Sequence, residues 1–118
     1  MENSKIDFFF KFKIKEGYEE RSQEVLKETL KITADKDPGV EIYEVFKDHN
    51  NVYCQHERYE NEDALKLHCH NTMNQLGEWM QITENIQTVL VGKVSDEFLQ
   101  NFAAYNIEVY LPHASLTR

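Results

Sequence analysis

Cysteine, proline and glycine are scarce in this chain, and basic residues are outnumbered. The 118 residues include only 2 Cys, 2 Pro and 4 Gly. The two thiols, Cys54 and Cys69, form neither a CxxC pair nor a disulfide framework, so two free thiols in a cytoplasmic protein are expected. None of the glycines falls in a GxGxxG arrangement, which argues against a dinucleotide-type phosphate loop. No run approaches the roughly 20 apolar residues of a membrane span. The opening residues Met1 to Lys5 lack the basic-then-apolar layout of a secretory signal. Lys and Arg number 13 against 21 Asp and Glu, a formal charge of −8. That deficit argues against binding a nucleic-acid backbone or an anionic membrane surface. A small neutral or aromatic ligand stays open.

What is present is enough for a packed core. Hydrophobic residues make up 41% of the sequence, a normal globular share. The length fits one domain over residues 1–118, with a core over about 5–94 and a C-terminal extension over about 95–118. Residues 6–15 alternate strictly, Ile6, Phe8, Phe10, Phe12 and Ile14 against Asp7, Phe9, Lys11, Lys13 and Lys15, and so read as a strand. Residues 18–34 read as a helix, with Tyr18, Val25, Leu26, Thr29, Leu30 and Ile32 as its apolar stripe. Pro38 and Gly39 then mark a turn. Strands follow over 40–47 and 52–59, joined by the polar link Asp48 to Asn51. Asn61 is the expected N-cap of a helix over 62–73, followed by a weaker helical stretch over 76–82. A strand over 86–94, a short helix capped by Ser95 and a strand over 107–111 complete the order.

The fold class is therefore α+β, a βαββαβ ferredoxin-like order with an extra helix and strand. Right-handed crossovers place both helices on one face of the sheet. In the second strand Tyr43 and Val45 share one face, while Ile42 and Phe46 share the other. Apolar side chains on both faces, with helices over only one, predict a homodimer through the open sheet face.

The opening strand to Gly17, the turn Asp37-Pro38-Gly39, the strand Ile42 to Phe46 and the segment Glu57 to His68 together resemble the antibiotic biosynthesis monooxygenase family. Its members are dimeric α/β barrels. The resemblance covers about residues 5–94, and it implies a homodimer of ferredoxin-like subunits. It also implies a cofactor-independent monooxygenase acting on a phenol or quinol held between sheet and helices. A non-catalytic or stress-related binding module of the same fold is the alternative, and a haem-degrading monooxygenase is a third reading.

His68 shares a helix face with Ala64 and Leu65 and so points toward the sheet. It is a candidate base or orienting donor, since imidazole titrates near neutrality; otherwise it is a half-buried structural histidine. Glu57, on the preceding strand, is the second catalytic candidate, or a buried carboxylate that holds His68 in place. Together they would form an orienting pair. Tyr43, Phe46, Tyr59, Met73 and Trp79 are the candidate substrate-binding residues, and core or dimer interface otherwise. His68-Cys69-His70 is not a metal motif, because residues i and i+2 diverge on a helix. No metal or cofactor is expected. Haem-degrading relatives use an Asn, a Trp and a His; Asn3, Trp79 and His70 are of those types here but do not align to that pattern.

Overall fold

The computed structural model describes residues 4–118, apart from the side chains of Asn85 and Ile86. Asn3 therefore lies outside the described residues. The elements run β1 (Ile6–Ile14), α1 (Glu19–Lys36), β2 (Val40–Lys47), β3 (Val52–Tyr59), α2 (Glu62–Asn71), α3 (Met73–Ile82), β4 (Thr83–Val91), α4 (Asp96–Asn101), a 3-10 turn (Ala103–Tyr105) and β5 (Ile107–Tyr110). The five strands form one sheet in the order β2-β3-β1-β4-β5. The first four pair antiparallel, and β5 lies parallel to β4 at the edge. The expected ferredoxin-like α+β architecture is present.

Alternation in β1 divides the sheet as expected. Ile6, Phe8 and Phe12 are buried beneath the helices, while Lys11 and Lys13 are exposed on the other side. Cross-strand partners share a face. The pairs Phe8↔Glu57, Phe10↔Gln55 and Tyr43↔Glu57 thus collect those side chains under the helices. Asp7, Phe9, His56, Arg58 and Phe46 are collected on the opposite face. A register shift between Val40 and Ile42 sends the two residues to different faces despite their spacing of two. Val40 can then pack against the core of Ile6, Phe8, Tyr59, Leu65, Leu90 and Phe98. Ile6 and Leu90 are wholly buried, and each such side chain contributes about 1.5–3 kcal/mol.

Three details differ from the expectations. The buried stripe of α1 is Ser22, Val25, Thr29 and Thr33, whereas Tyr18 and Leu30 are exposed. The three hydroxyls donate to backbone carbonyls one turn back, Ser22 to Glu19, Thr29 to Val25 and Thr33 to Thr29, at 2.7–2.8 Å. Burial therefore leaves no hydrogen bond unmade. The second helix breaks at Thr72, whose hydroxyl donates to the His68 carbonyl, so α2 ends at Asn71 and α3 begins at Met73. Finally, β4 starts at Thr83, directly after α3, and ends at Val91 instead of reaching Val94. Gly92 follows with φ +142, and a Cβ there would lie 2.9 Å from the Lys5 carbonyl oxygen.

Gly39 is the other glycine that geometry requires. A Cβ at this position would stand 2.5 Å from the Ala64 Cβ, so the turn before β2 and the start of α2 fit together only without it. Gly39→Ala is expected to lower stability in urea unfolding by about 1–3 kcal/mol. In the double variant with Ala64→Gly part of that loss should return, although glycine in a helix itself costs about 1 kcal/mol. Strictly additive effects would show that the contact is not the constraint.

Candidate active site

Between the helices and the sheet lies a cavity of about 280 Å³. Its floor is the aromatic and polar face of β1 and β3; α1, α2 and α3 stand over it. His68 reaches it because α2 is set by its cap. The Asn61 side chain accepts from the Ala64 amide at 2.9 Å, and Leu65 and His68 then fall on the buried side. Alternation in β3 aims Gln55, Glu57 and Tyr59 at the same space, and all three are buried.

Asp37, Glu57 and His68 form a row in which the imidazole stands between two acids. Asp37 Oδ2 lies 3.0 Å from His68 Nδ1, and Thr33 Oγ1 lies 3.5 Å from the same nitrogen. The other carboxylate oxygen of Asp37 accepts from Asn71 Nδ2 at 2.5 Å. This network assigns the Nδ1 proton to the Asp37 side and leaves Nε2 toward Glu57 and the cavity. The separation from Nε2 to Glu57 Oε1 is 3.9 Å, longer than a hydrogen bond. Glu57 and His68 are therefore neighbours that do not bond directly. Glu57 instead accepts from the Tyr59 hydroxyl on Oε1 and from Gln55 Nε2 on Oε2.

Burial dominates the titration of these groups. It raises the Glu57 carboxyl above the usual range, against the lowering influence of the Tyr59 hydroxyl and His68. Burial, with the Glu57 charge second, raises the phenols of Tyr43 and Tyr59. The Cys69 thiol is pushed up to about 12, first by burial and then by Glu57 and Asp37. A thiol held protonated in this way is a poor nucleophile. His70 is exposed, away from His68. Among the described residues no group of three His, Cys, Asp or Glu side chains is placed to hold a metal.

Of the residues expected around a ligand, Tyr43, Tyr59 and Trp79 line the cavity with His68 and Glu57. Phe46 and Met73 do not. Phe46 pairs with Cys54 and so lies on the opposite face of the sheet, 55% exposed. Met73 sits just after the break at Thr72 and is 60% exposed. Asp37 and Gln55 were missed. The period-two alternation of β3 puts Gln55 beside Glu57 and was a usable signal. Asp37 read as a turn residue, and no local pattern announces a partner 31 positions away. The Oε1 atom of Gln55 is buried and has no hydrogen-bond partner among the described residues.

A sequence model of the antibiotic biosynthesis monooxygenase family matches residues 9–75. The chain belongs to this family. Solved structures share the fold of this family member at low identity. MupZ from Pseudomonas fluorescens is 17% identical with a TM-score of 0.83, over 98% of this chain and 96% of that one. Rv0793 from Mycobacterium tuberculosis is 13% identical with a TM-score of 0.65, over 79% and 98%. A variant of SnoaB from Streptomyces nogalater, a cofactor-independent oxygenase, is 13% identical with a TM-score of 0.63, over 79% and 94%. No curated protein matches the sequence. No helix among the described residues is long and apolar enough to cross a membrane.

The raised Glu57 carboxyl has a consequence for stability. Between its ordinary value of 4.5 and its higher folded value, the folded chain binds more protons than the unfolded one. Stability therefore falls as pH rises through that window. Glu57→Gln removes this loss, and a turned Gln55 amide can accept from the new side chain through its unpartnered Oε1. As pH rises above about 4.5, the variant is expected to gain on the parent in urea midpoints. A gap independent of pH would contradict the assignment.

Proposed function

We propose that this monooxygenase-family protein oxygenates a small phenol or quinol without a cofactor, using His68 as the base and Glu57 as its electrostatic partner. The observation that supports this reading most is the position of the imidazole. Its Nδ1 is tied to buried Asp37 while Nε2 is turned to an aromatic-walled cavity. A base so oriented accepts a ligand's hydroxyl proton with little reorganisation. The imidazolium formed then lies between the Asp37 and Glu57 carboxyls and beside the new phenolate, which spreads its charge into the ring. Dioxygen, itself apolar, enters the same cavity. With a quinol the substrate supplies all four electrons. One oxygen atom enters the ring in place of a hydrogen and the other leaves as water, giving the hydroxyquinone. Tyr43, Tyr59 and Trp79 are the proposed ring contacts.

The same reading takes the protein to be one domain, cytoplasmic, and a homodimer joined through the open sheet face. Phe9 and Phe46 are 39% and 55% exposed there. Around them Asp7 accepts from Arg58 Nε at 2.8 Å and meets His56 Nε2 at 2.7 Å. Asp7 and Arg58 are already paired within the chain, so a second sheet can cover that pair without leaving either ion alone, while Lys11 and Lys13 are exposed farther along the same face.

Two measurements test these readings. Oxygen uptake with menadiol, a simple quinol, is expected in the parent and should fall by about 10²-fold or more in His68→Ala with folding intact. In Asp37→Asn the loss should be partial, with a displaced pH profile, since only the ring's orientation and charge balance change. If a broad panel of phenols and quinols neither binds nor consumes oxygen, the enzymatic reading is abandoned. For assembly, light scattering should give twice the chain mass in the parent and the single mass in Phe46→Glu; an unchanged mass in that variant argues against this interface.

A further inference from the structure

The cavity is not confined to the neighbourhood of His68. Its lining begins at Tyr43 on β2 and runs to Ile107 on β5, crossing every strand of the sheet. From Glu57 on β3 to β5 is three strand spacings, on the order of 14 Å at about 4.8 Å each. That is longer than one phenol ring. The far end is built by the C-terminal segment, which lies beyond the residues 9–75 matched by the family model. There Phe98, Phe102, Tyr105 and Asn106 reach the same cavity.

This end of the cavity is anchored. Ser95 caps α4 and is held to α2 by Glu62, which accepts from the Ser95 amide at 2.5 Å and from its hydroxyl at 2.7 Å. Phe98 is 3% exposed and meets Phe8 at 6.4 Å between ring centroids. Phe102 stacks on Phe98 at 4.7 Å, and Tyr105 follows at 5.7 Å from Phe102. The β4–β5 ladder from Thr88↔Ile107 to Val91↔Tyr110 closes the segment behind them. A chain of rings thus leads from the core to the edge of the cavity. Polar groups are concentrated at the opposite end, around Glu57, His68 and the unpartnered Oε1 of Gln55.

We propose that the C-terminal segment Asp96–Ile107 is the far wall of the cavity, and that Phe102 and Tyr105 set the length of an elongated, mainly apolar ligand whose hydroxyl head lies among Gln55, Glu57 and His68. The placement of the head rests on the function proposed above; the wall rests on the course of the cavity. His68 Nε2 takes the hydrogen bond from the head's hydroxyl, and the unpartnered Gln55 Oε1 beside it favours a head that carries a second donor. The apolar body lies over Phe8 and Phe10 and ends against Phe102 and Tyr105. A ligand too short leaves that wall unfilled, and one too long meets it.

The test uses 4-n-alkylphenols of increasing chain length, with binding followed by the fluorescence of Trp79, the single tryptophan, which lines the cavity. In the parent, affinity should climb about fourfold per methylene and then stop climbing at a definite length. Tyr105→Ala and Phe102→Ala should carry the climb further, with about tenfold tighter binding of the chains just past the parent's limit. Tyr105 is 43% exposed, so its replacement keeps the test valid even where Phe102→Ala disturbs the fold. His68→Ala serves the head group separately, weakening every member of the series alike. A shifted limit with no effect of His68→Ala upholds the wall and overturns the head placement. A limit at the same length in both wall variants, or no limit in the parent, overturns the wall. Failure of every alkylphenol to bind overturns both.

Discussion

The contact between Asp37 and His68 joins two parts of the chain that share no local pattern. It is 3.0 Å long, with side-chain exposures of 1% and 7%. Asp37 closes the end of α1, where its amide donates to the Thr33 carbonyl at 3.0 Å, and its own carbonyl accepts from Val40 at the start of β2. His68 lies two turns into α2. A buried carboxylate has to be matched by donors, and here His68 and Asn71, one turn apart on α2, provide them. The close approach of Gly39 to Ala64 brings these pieces within reach. The site's geometry and the packing of α2 onto the sheet edge are thus one arrangement.

Alternation made much of the fold legible. β1, β2 and β3 follow from period two and β-branched content, and Asn61 and Ser95 are caps that their residue types announce. The sheet faces follow as well, since Tyr43 and Phe46 in β2 necessarily diverge. Phe46 accordingly stands on the face turned away from the cavity. Helical periodicity was less informative for α1, because its buried face is mostly hydroxyl. Ser22, Thr29 and Thr33 satisfy themselves against their own helix, so a stripe sought by hydrophobicity falls to one side of the true one. The direct passage from α3 into β4 was equally hidden, since no glycine or proline marks it.

The site was legible in part for a related reason. His68 and Glu57 stood out because an imidazole and a carboxyl each sit on the buried face of a readable element. Their mutual position did not follow, because it depends on what else bonds to them. Tyr59 and Gln55 occupy both oxygens of Glu57, and Asp37 holds the far nitrogen of His68. The expected pair is a row of three with its own supports, and the 3.9 Å gap between Glu57 and His68 follows from those supports.

The charge of that row bears on what enters the cavity. Two acids flank one imidazole, while burial holds Tyr43, Tyr59 and Cys69 protonated. Among the described residues no lysine or arginine lines the space. An anion arriving already ionised would meet the carboxyls of Glu57 and Asp37, and would lose its hydration on entry. A neutral ligand that carries its proton in and gives it to Nε2 avoids that cost, because its negative charge forms together with the imidazolium. The α1 hydroxyls contribute by being small: Thr29 lies at the cavity wall where a leucine would project further. Thr29 thus leaves room for a ligand on the α1 side, while the polarity that orients it comes from Gln55, Glu57 and His68.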